Sequence, residues 1–377
     1  MIPMTNSISN LVLPHSVSLL EKMAAESIEN GPFTYVHSGA GNEITLKANI
    51  DAFESWQIVP KYLNDVKIRD TSTKILGTTF SNSFALAPVG VQSIFHPEGE
   101  LASARAAAHH GVPFIASTFT SHSLEEIATH LGATPRWFQL YWSKDEELAI
   151  SMVKRAEKAG YSAIVITVDT SLIGNRERDL NNGYSPLKLG KGSANYLNDP
   201  VFLERFKTRP SSDDKGVIEK IGDVLFNPSL TWEDLRTIRK HTSLPILLKG
   251  ILHEEDASKA LDYGVDGLIV SNHGGRQLDG CISSLEALPP IADVVQDRIP
   301  ILLDSGIRRG SDVIKARALG ASAVLLGRPF VYGLAIAGEQ GVRHVLKNFI
   351  NDIDTSLALT GCSSMSQVNE SIIRRKK

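Results

Sequence analysis

Short runs of consecutive apolar residues recur along most of the chain, and each run ends at a small, polar or charged residue. There are eight such runs: Phe84–Val89, Pro113–Ser117, Trp137–Tyr141, Ala163–Val168, Ile246–Lys249, Gly267–Ser271, Ile301–Asp304 and Ala323–Leu326. Near-continuous hydrophobicity of this length is typical of parallel β-strands that are buried on both faces. The pattern therefore predicts eight buried parallel strands.

Helical patterns fill the segments between these runs. Ser143 to Glu146 and Thr231 to Asp234 have the spacing of N-terminal capping boxes. The helix predicted from Ser143 closes at Gly160, and one from about residue 311 closes at Gly320, because glycine adopts the left-handed conformation cheaply. Alternating strands and helices predict an α/β fold, and eight repeats predict a closed (β/α)8 TIM barrel.

Two segments lie outside this repeat. Residues 1–80 form an N-terminal extension with a predicted helix from Ser16 to Glu29 and a hairpin at Lys74–Phe80, which we expect to close the bottom of the barrel. Residues 170–230 make the connection after the fourth strand far longer than the others, and such an insert on the catalytic face predicts a mobile lid. We expect a single domain over residues 1–377, with the barrel at 81–360.

Composition excludes several classes of protein. The formal net charge of −3 argues against a nucleic-acid partner, which would require a basic excess. The two cysteines, Cys281 and Cys362, cannot build a disulfide framework and favour a reducing compartment. Met1–Leu20 is a poor signal peptide, residues 374–377 do not match a peroxisomal signal, and no membrane span is predicted. We therefore expect a cytoplasmic protein.

Polar residues gather at the ends of the predicted strands. In a TIM barrel these side chains converge on the active-site face. They are Gly90, Ser117, Gln139, Tyr141, Thr167, Asp169, Lys249, Ser271, His273, Asp304, Gly327 and Arg328.

The segment from Ser271 to Asp279 is the densest of these positions. His273 suits proton transfer near neutral pH, and Arg276 can bind a carboxylate through two N–H groups. Asp169 could orient His273, and Lys249 on a core strand should face an anionic or electron-rich group. Each of these residues also has a purely structural interpretation. His273 could form its hydrogen bonds with the backbone of a glycine turn, Asp169 could be a loop aspartate, and Lys249 could pair with a neighbouring carboxylate.

The last two strand ends predict a phosphate site. Asp304–Gly310 and Gly327–Pro329 combine glycines with arginines at the usual phosphate position of this fold, although a solvated basic turn has the same composition. We expect no metal, because His253-Glu-Glu-Asp lacks the second histidine of a zinc motif. Dinucleotide, P-loop and nucleophile-elbow motifs are also missing.

Together these motifs resemble the FMN-dependent L-2-hydroxy-acid oxidases and dehydrogenases, such as glycolate oxidase, lactate oxidase and lactate monooxygenase. The resemblance covers nearly the whole chain. The motifs that carry it are Tyr35-x-x-x-Gly39-Ala40, His96–Glu100, Trp137–Tyr141, Thr167–Asp169, Leu248–Gly250, Ser271–Gln277, Asp304–Gly310 and Gly327–Pro329.

The resemblance implies a role for each residue. His273 is the base and Asp169 its partner, with Tyr141 near the substrate hydroxyl and Lys249 stabilising the reduced flavin. The implied substrate-binding residues are Tyr35, Tyr141, Arg176, His273 and Arg276. The implied FMN-binding residues are Pro88, Val89, Gly90, Ser117, Gln139, Thr167, Lys249, Ser271, Asp304, Ser305, Gly306, Arg308, Gly327 and Arg328.

Two departures affect the substrate and the reaction. Phe119 stands where glycolate oxidase has Trp, so an indole hydrogen bond is lost. Gly90 stands where the oxidases have Ala, as in lactate monooxygenase. We expect oxidation of a small L-2-hydroxy acid, first L-lactate, by O2 with release of H2O2. The resemblance by itself implies a homo-tetramer.

Several alternatives stay open. They are a lactate 2-monooxygenase that forms acetate, CO2 and water, an oxidase of a larger acid such as mandelate, and a quinone-linked enzyme. Two rivals are another phosphate-ligand barrel enzyme and a non-catalytic flavin-binding module. The former has no use for the carboxylate-binding set of Tyr35, His273 and Arg276.

Overall fold

The computed structural model describes residues 12–376, and its centre is a closed barrel of eight parallel strands. The barrel strands are β4 (Phe84–Leu86), β5 (Phe114–Ala116), β6 (Arg136–Tyr141), β7 (Ile164–Thr167), β8 (Ile246–Ile251), β9 (Gly267–Val270), β10 (Ile301–Leu303) and β11 (Ala323–Leu326). They pair in chain order, and β11 pairs with β4 to close the ring, with Leu326 opposite Leu86. The predicted eight strands and the TIM-barrel fold are confirmed.

Helices surround the barrel and precede it. In the extension they are α1 (Val17–Ser27), α2 (Asn30–His37) and α3 (Ile44–Glu54). Around the barrel they are α4 (Gly99–His110), α5 (Leu124–Leu131), α6 (Glu146–Lys158), α11 (Trp232–Arg239), α12 (Glu254–Asp262), α13 (Ser284–Val295), α14 (Gly310–Ala318) and α15 (Arg328–Leu359). Among residues 12–376, no helix is long and apolar enough to span a membrane.

One of the two predicted capping boxes forms. Thr231 caps α11 reciprocally with Asp234. The prediction at Ser143 was wrong, because α6 begins later and Asp145 caps it by accepting from Leu148 N. Ser143 Oγ instead donates to Val224 O, which ties this loop to the long insert.

Small strands also pair outside the barrel. β2 (Thr73–Ile75) and β3 (Thr78–Phe80) form the predicted hairpin, and β1 (Trp56–Ile58) pairs with the C-terminal β12 (Ile373–Arg375). Ile75 and Phe80 are buried among the inward-facing residues of the barrel strands, and Phe80 lies 5.4 Å from Trp137 between ring centroids. Apolar side chains therefore seal the end opposite the strand termini that carry the polar residues.

The long insert after β7 contains more regular structure than its composition suggests. Its helices are α7 (Glu177–Asn181), α8 (Ala194–Leu197), α9 (Pro200–Leu203) and α10 (Lys215–Leu225). Asn195 holds it to the barrel, because its buried Nδ2 donates to Thr118 O at 2.9 Å and to Thr120 Oγ1 at 2.9 Å. The mobility of this lid stays a prediction.

Candidate active site

A cavity of about 600 Å³ opens at the carboxyl ends of the barrel strands. Nearly all of the predicted site residues line it. They are Tyr35, Pro88, Val89, Gly90, Ser117, Gln139, Tyr141, Thr167, Arg176, Lys249, His273, Arg276, Asp304, Ser305, Gly306, Arg308, Gly327 and Arg328. The two remaining residues, Asp169 and Ser271, lie directly behind this wall and bond to residues in it.

His273 is oriented by Asp169. Its Nδ1 lies 2.8 Å from Asp169 Oδ1, and Thr170 Oγ1 donates to the same oxygen at 2.8 Å. The backbone N–H of His273 donates to Ser271 Oγ at 3.0 Å. Since Nδ1 is engaged by the carboxylate, Nε2 is the ring nitrogen that remains for a ligand.

The two groups differ in charge state at neutral pH. Burial by itself raises the pKa of Asp169, but contacts with His273, Lys249 and Thr170 outweigh it and lower the pKa to about 2. Burial lowers the pKa of His273, and the neighbouring Asp169 opposes this only in part. The arrangement holds a carboxylate beside a neutral imidazole, which is the form that accepts a proton.

Lys249 is a buried cation on β8. Its Nζ donates to Ser271 Oγ at 2.8 Å and lies 3.1 Å from Asp304 Oδ2. Burial lowers the pKa of Lys249, but Asp304 and Asp169 outweigh burial and raise it, so the ammonium stays charged. Ser271 thus supports both Lys249 and His273 from behind the cavity wall.

The N-terminal extension anchors two of the arginines. Helix α2 ends here, and its last carbonyls have no partners within the helix. Arg276 Nη1 donates to Tyr35 O and Ser38 O, and Arg328 donates to Val36 O at 2.8 Å and Ser38 O at 3.0 Å. The Arg276 guanidinium also lies 4.9 Å over the Tyr35 ring. Burial and the nearby Arg176 lower the pKa of Arg276 to about 9, so it remains a cation at neutral pH.

Polar side chains on neighbouring strands form a chain of hydrogen bonds along one wall. Ser117 Oγ donates to Gln139 Oε1 at 3.1 Å, and Gln139 Nε2 donates to Thr167 Oγ1 at 3.0 Å. Tyr141 lies beyond them, and burial and Asp169 raise the pKa of its phenol. Tyr141 is therefore protonated at neutral pH and can donate a hydrogen bond.

Glycines allow close packing around the anion-binding end of the cavity. A Cβ on Gly274 would lie 2.7 Å from Arg328 Nη1, and one on Gly306 would overlap Asn49 O. Arg308 and Arg328 both line this end together with Gly306 and Gly327, so it combines two cations with glycine backbone. The donor set fits a phosphate monoester.

Gly90 lies against the next loop of the barrel. A Cβ on Gly90 would overlap Phe119 O and approach Phe119 Cβ to 3.1 Å, and Val91 N donates to the same carbonyl at 2.7 Å. The loop that carries Phe119 therefore occupies the space that the Cβ of an alanine at position 90 would need.

The insert supplies cavity residues that sequence reasoning missed. Asp179 on α7 is almost fully buried, and Tyr184 lies 6.4 Å from Tyr35 between ring centroids. Leu187, Leu225 and Phe226 add apolar surface. Asp179 lies one helical turn after Arg176, and this spacing is a sequence signal that could have placed it in the site. No periodic pattern in the sequence indicates the three apolar residues.

In the described part of the chain, no group of three or more histidine, cysteine, aspartate or glutamate residues could hold a metal ion.

Comparisons with known proteins agree on one family. The family model for FMN-dependent dehydrogenases matches residues 24–375. The chain is 51% identical over 346 residues to an L-lactate oxidase from Lysinibacillus sphaericus, covering 92% of this chain and 89% of that protein. It is 43% identical over 350 residues to a 4-hydroxymandelate oxidase from Amycolatopsis orientalis, covering 93% and 95%.

Solved structures give the same result. A crystal structure of mandelate oxidase with (S)-4-hydroxymandelic acid superposes with a TM-score of 0.86 at 40% identity, over 96% of this chain and 99% of that one. The chain belongs to the FMN-dependent dehydrogenase family. It is an oxidoreductase, and its cofactor is FMN.

The residues present fit that cofactor. A buried ammonium at Lys249, an amide chain at Gln139 and a doubly cationic end at Arg308 and Arg328 occur along one cavity. Lys249 and Gln139 match an electron-accepting ring with polar edges, and the two arginines match a phosphate tail.

Proposed function

We propose that the protein oxidises a small L-2-hydroxy acid, first L-lactate, to the 2-oxo acid and passes the electrons to O2 with formation of H2O2. The observation that supports this most is the pairing of a neutral His273 with Asp169 at 2.8 Å, in one cavity with the cationic Arg276. A base beside a carboxylate-binding cation is what removal of a proton from a hydroxy acid requires.

In this proposal the substrate carboxylate binds to Arg276 and Tyr35. Within the described part of the chain, Arg276 donates through Nη1 to the carbonyls of Tyr35 and Ser38 at the end of α2. Its other N–H groups are therefore left for the substrate carboxylate. Tyr141 donates to the 2-hydroxyl group, and Arg176, held by Arg276 O at 3.2 Å, covers the substrate from the lid.

Proton transfer is then the task of His273. Its Nε2 accepts the proton, and Asp169 stabilises the imidazolium that results. FMN supplies the two-electron acceptor when bound, and the charge of Lys249 favours electron-rich states beside it. Positioning of the substrate by Arg276 contributes to rate by removing its freedom of orientation.

Replacement of His273 tests the role of the base. His273→Gln should retain FMN but reduce the rate of flavin bleaching by lactate about 10²- to 10⁴-fold, the usual contribution of a general base. Anaerobic stopped-flow absorbance measures it. Bleaching at the wild-type rate would remove His273 from this role.

The substrate and the acceptor are tested by aerobic turnover with glycolate, L-lactate and mandelate, measuring both H2O2 and CO2. Lactate turnover with peroxide supports the proposal. CO2 without free peroxide would support a lactate 2-monooxygenase instead, the candidate that Gly90 favours. Preference for mandelate would match the apolar lid residues Leu187, Leu225 and Phe226.

We also propose a cytoplasmic homo-tetramer. Both cysteines of the described residues are free, as in a reducing compartment. Exposed Leu172, Leu278 and Ile44 lie on adjoining segments, since Gln277 Nε2 donates to Leu172 O and Thr45 Oγ1 donates to Leu278 O. Sedimentation equilibrium should give four chains, and Leu278→Asp should lower the association; a monomeric wild type would contradict the proposal.

A further inference from the structure

The turn that carries His273 has an unusual backbone. His273 has a φ of +59°, and Gly274 and Gly275 follow with +66° and +74°. The two glycines adopt the left-handed region freely, whereas a histidine there is strained by its Cβ. Such a conformation persists only when the surrounding structure fixes it.

Asn272 closes this turn from within. Its side-chain Oδ1 accepts from Gly275 N at 3.1 Å, and its Nδ2 donates to Ile282 O at 3.1 Å. Its backbone N–H donates to Ser284 Oγ at 3.1 Å. The Asn272 amide therefore bonds across the turn and ties it to the following segment at Ile282.

Asn49 holds that amide from the N-terminal extension. Asn49 Nδ2 donates to Asn272 Oδ1 at 2.8 Å, and Asn272 Nδ2 donates back to Asn49 Oδ1 at 2.7 Å. Both side chains are buried, at 1% and 4% exposure, and Asn49 Oδ1 also accepts from Ser284 N at 3.3 Å. A reciprocal pair needs a donor and an acceptor on each partner, which asparagine supplies and aspartate does not.

The backbone of α3 packs against the same turn. A Cβ on Gly275 would lie 2.6 Å from Leu46 N, and a Cβ on Gly306 would overlap Asn49 O. Helix α3 thus contacts the His273 turn and the loop after β10, so a shift of Asn49 would be transmitted to both.

We infer that Asn49, which lies outside the cavity, is a positioning residue for His273. Its amide pair with Asn272 holds the turn at His273–Gly275 in its left-handed conformation. That conformation holds Nδ1 of His273 against Asp169. This inference rests on the proposed function only in that it takes His273 to be the base.

Asn49→Ala and Asn49→Asp test the inference in the FMN-loaded protein. Both should keep FMN, while the rate of flavin bleaching at saturating L-lactate falls roughly 10²-fold, as expected for a small misplacement of a reacting group. The KM should change far less than this rate. Asn49→Asp is nearly isosteric and retains the acceptor, so it keeps the test open if the alanine variant does not fold.

Asn64→Ala is the matched control. Asn64 belongs to the same extension, and its Nδ2 donates to Gly361 O at 2.9 Å away from the cavity. This variant should bleach at the wild-type rate. Equal losses in Asn64→Ala and Asn49→Ala would overturn the inference, because they would reflect general loosening of the extension.

Chemical modification gives a second readout that does not depend on turnover. Carbethoxylation of His273, followed by peptide mass spectrometry across pH, should be several-fold faster in Asn49→Asp because the relaxed turn exposes the ring. An Asn49 variant that lowers Tm yet leaves both the bleaching rate and His273 reactivity unchanged would overturn the inference. A wild type that is bleached by no 2-hydroxy acid would instead contradict the proposed function, and His273 reactivity would still decide the role of Asn49.

Discussion

At the scale of single residues, the charge states of the cavity are set by neighbours rather than by residue type. Burial keeps His273 neutral, contacts with His273 and Lys249 keep Asp169 ionised, and Asp304 with Asp169 keeps Lys249 protonated. Each group is therefore in the form that its proposed task needs at neutral pH.

The pH dependence of catalysis follows from the lowered pKa of His273. Because the neutral imidazole is the active form, kcat/KM should be constant at neutral pH and fall as the pH drops below this pKa, which lies under the ordinary 6.5. A profile of kcat/KM against pH measures it. An acidic limb centred above 6.5 would contradict the assignment.

Asp169→Asn tests the partner of the base. Asp169 raises the pKa of His273, so its loss should move the acidic limb to lower pH. It should also reduce kcat roughly 10²-fold or more, because the imidazolium is no longer stabilised. Thr170→Val, which removes a hydrogen bond to the same carboxylate, serves as a milder comparison.

At the scale of elements, the loops after β4 and β5 fix each other. Val91 N donates to Phe119 O, while Glu100 on α4 accepts from Gln92 N at 2.9 Å and from Ser121 N at 3.1 Å. Two loops that both line the cavity are thereby joined through one buried carboxylate, and we expect their positions to be coupled.

Gly90→Ala tests this coupling. The added Cβ would overlap Phe119 O, so the loops should separate and the protein should lose about 1–3 kcal/mol of stability, the usual cost of overpacking. Gly222→Ala on α10 is the control, because no atom lies within 4 Å of its Cβ and helix propensity favours alanine. Thermal unfolding measures the stability of both variants. A Gly90→Ala protein with the same Tm as the wild type would contradict the coupling.

At the scale of the whole molecule, stability and chemistry occupy opposite ends of the barrel. The hairpin β2–β3 seals the bottom with Ile75 and Phe80, and the cavity opens at the other end. Changes at the bottom are therefore expected to alter the free energy of unfolding without altering catalysis.

Phe80→Ala tests this separation. Removing a fully buried ring should cost about 3–5 kcal/mol of unfolding free energy, while Phe80→Leu should cost much less. Urea denaturation gives the stability, and kcat/KM of the folded protein should equal that of the wild type for both variants. A large loss of kcat/KM in Phe80→Leu would show that the two ends are coupled.

Much of this molecule could be predicted from sequence because its signals are local. Eight apolar runs determine the strands, since a parallel strand buried on both faces must be apolar along its length. The residues that end those runs determine the cavity wall, because carboxyl ends of parallel strands share one edge. The hairpin, the Gly160 and Gly320 helix ends and the Thr231 cap are local in the same way.

Tertiary structure alone decided the contacts between segments that are distant in sequence. The Asn49–Asn272 pair, the docking of Arg276 and Arg328 on the carbonyls of α2, and the approach of Phe119 to Gly90 have no local signature. The helix cap predicted at Ser143 fails for the same reason, because the Ser143 hydroxyl donates to Val224 O, 81 residues further along the chain. A sequence pattern reports which groups can bond, whereas the fold determines which groups meet.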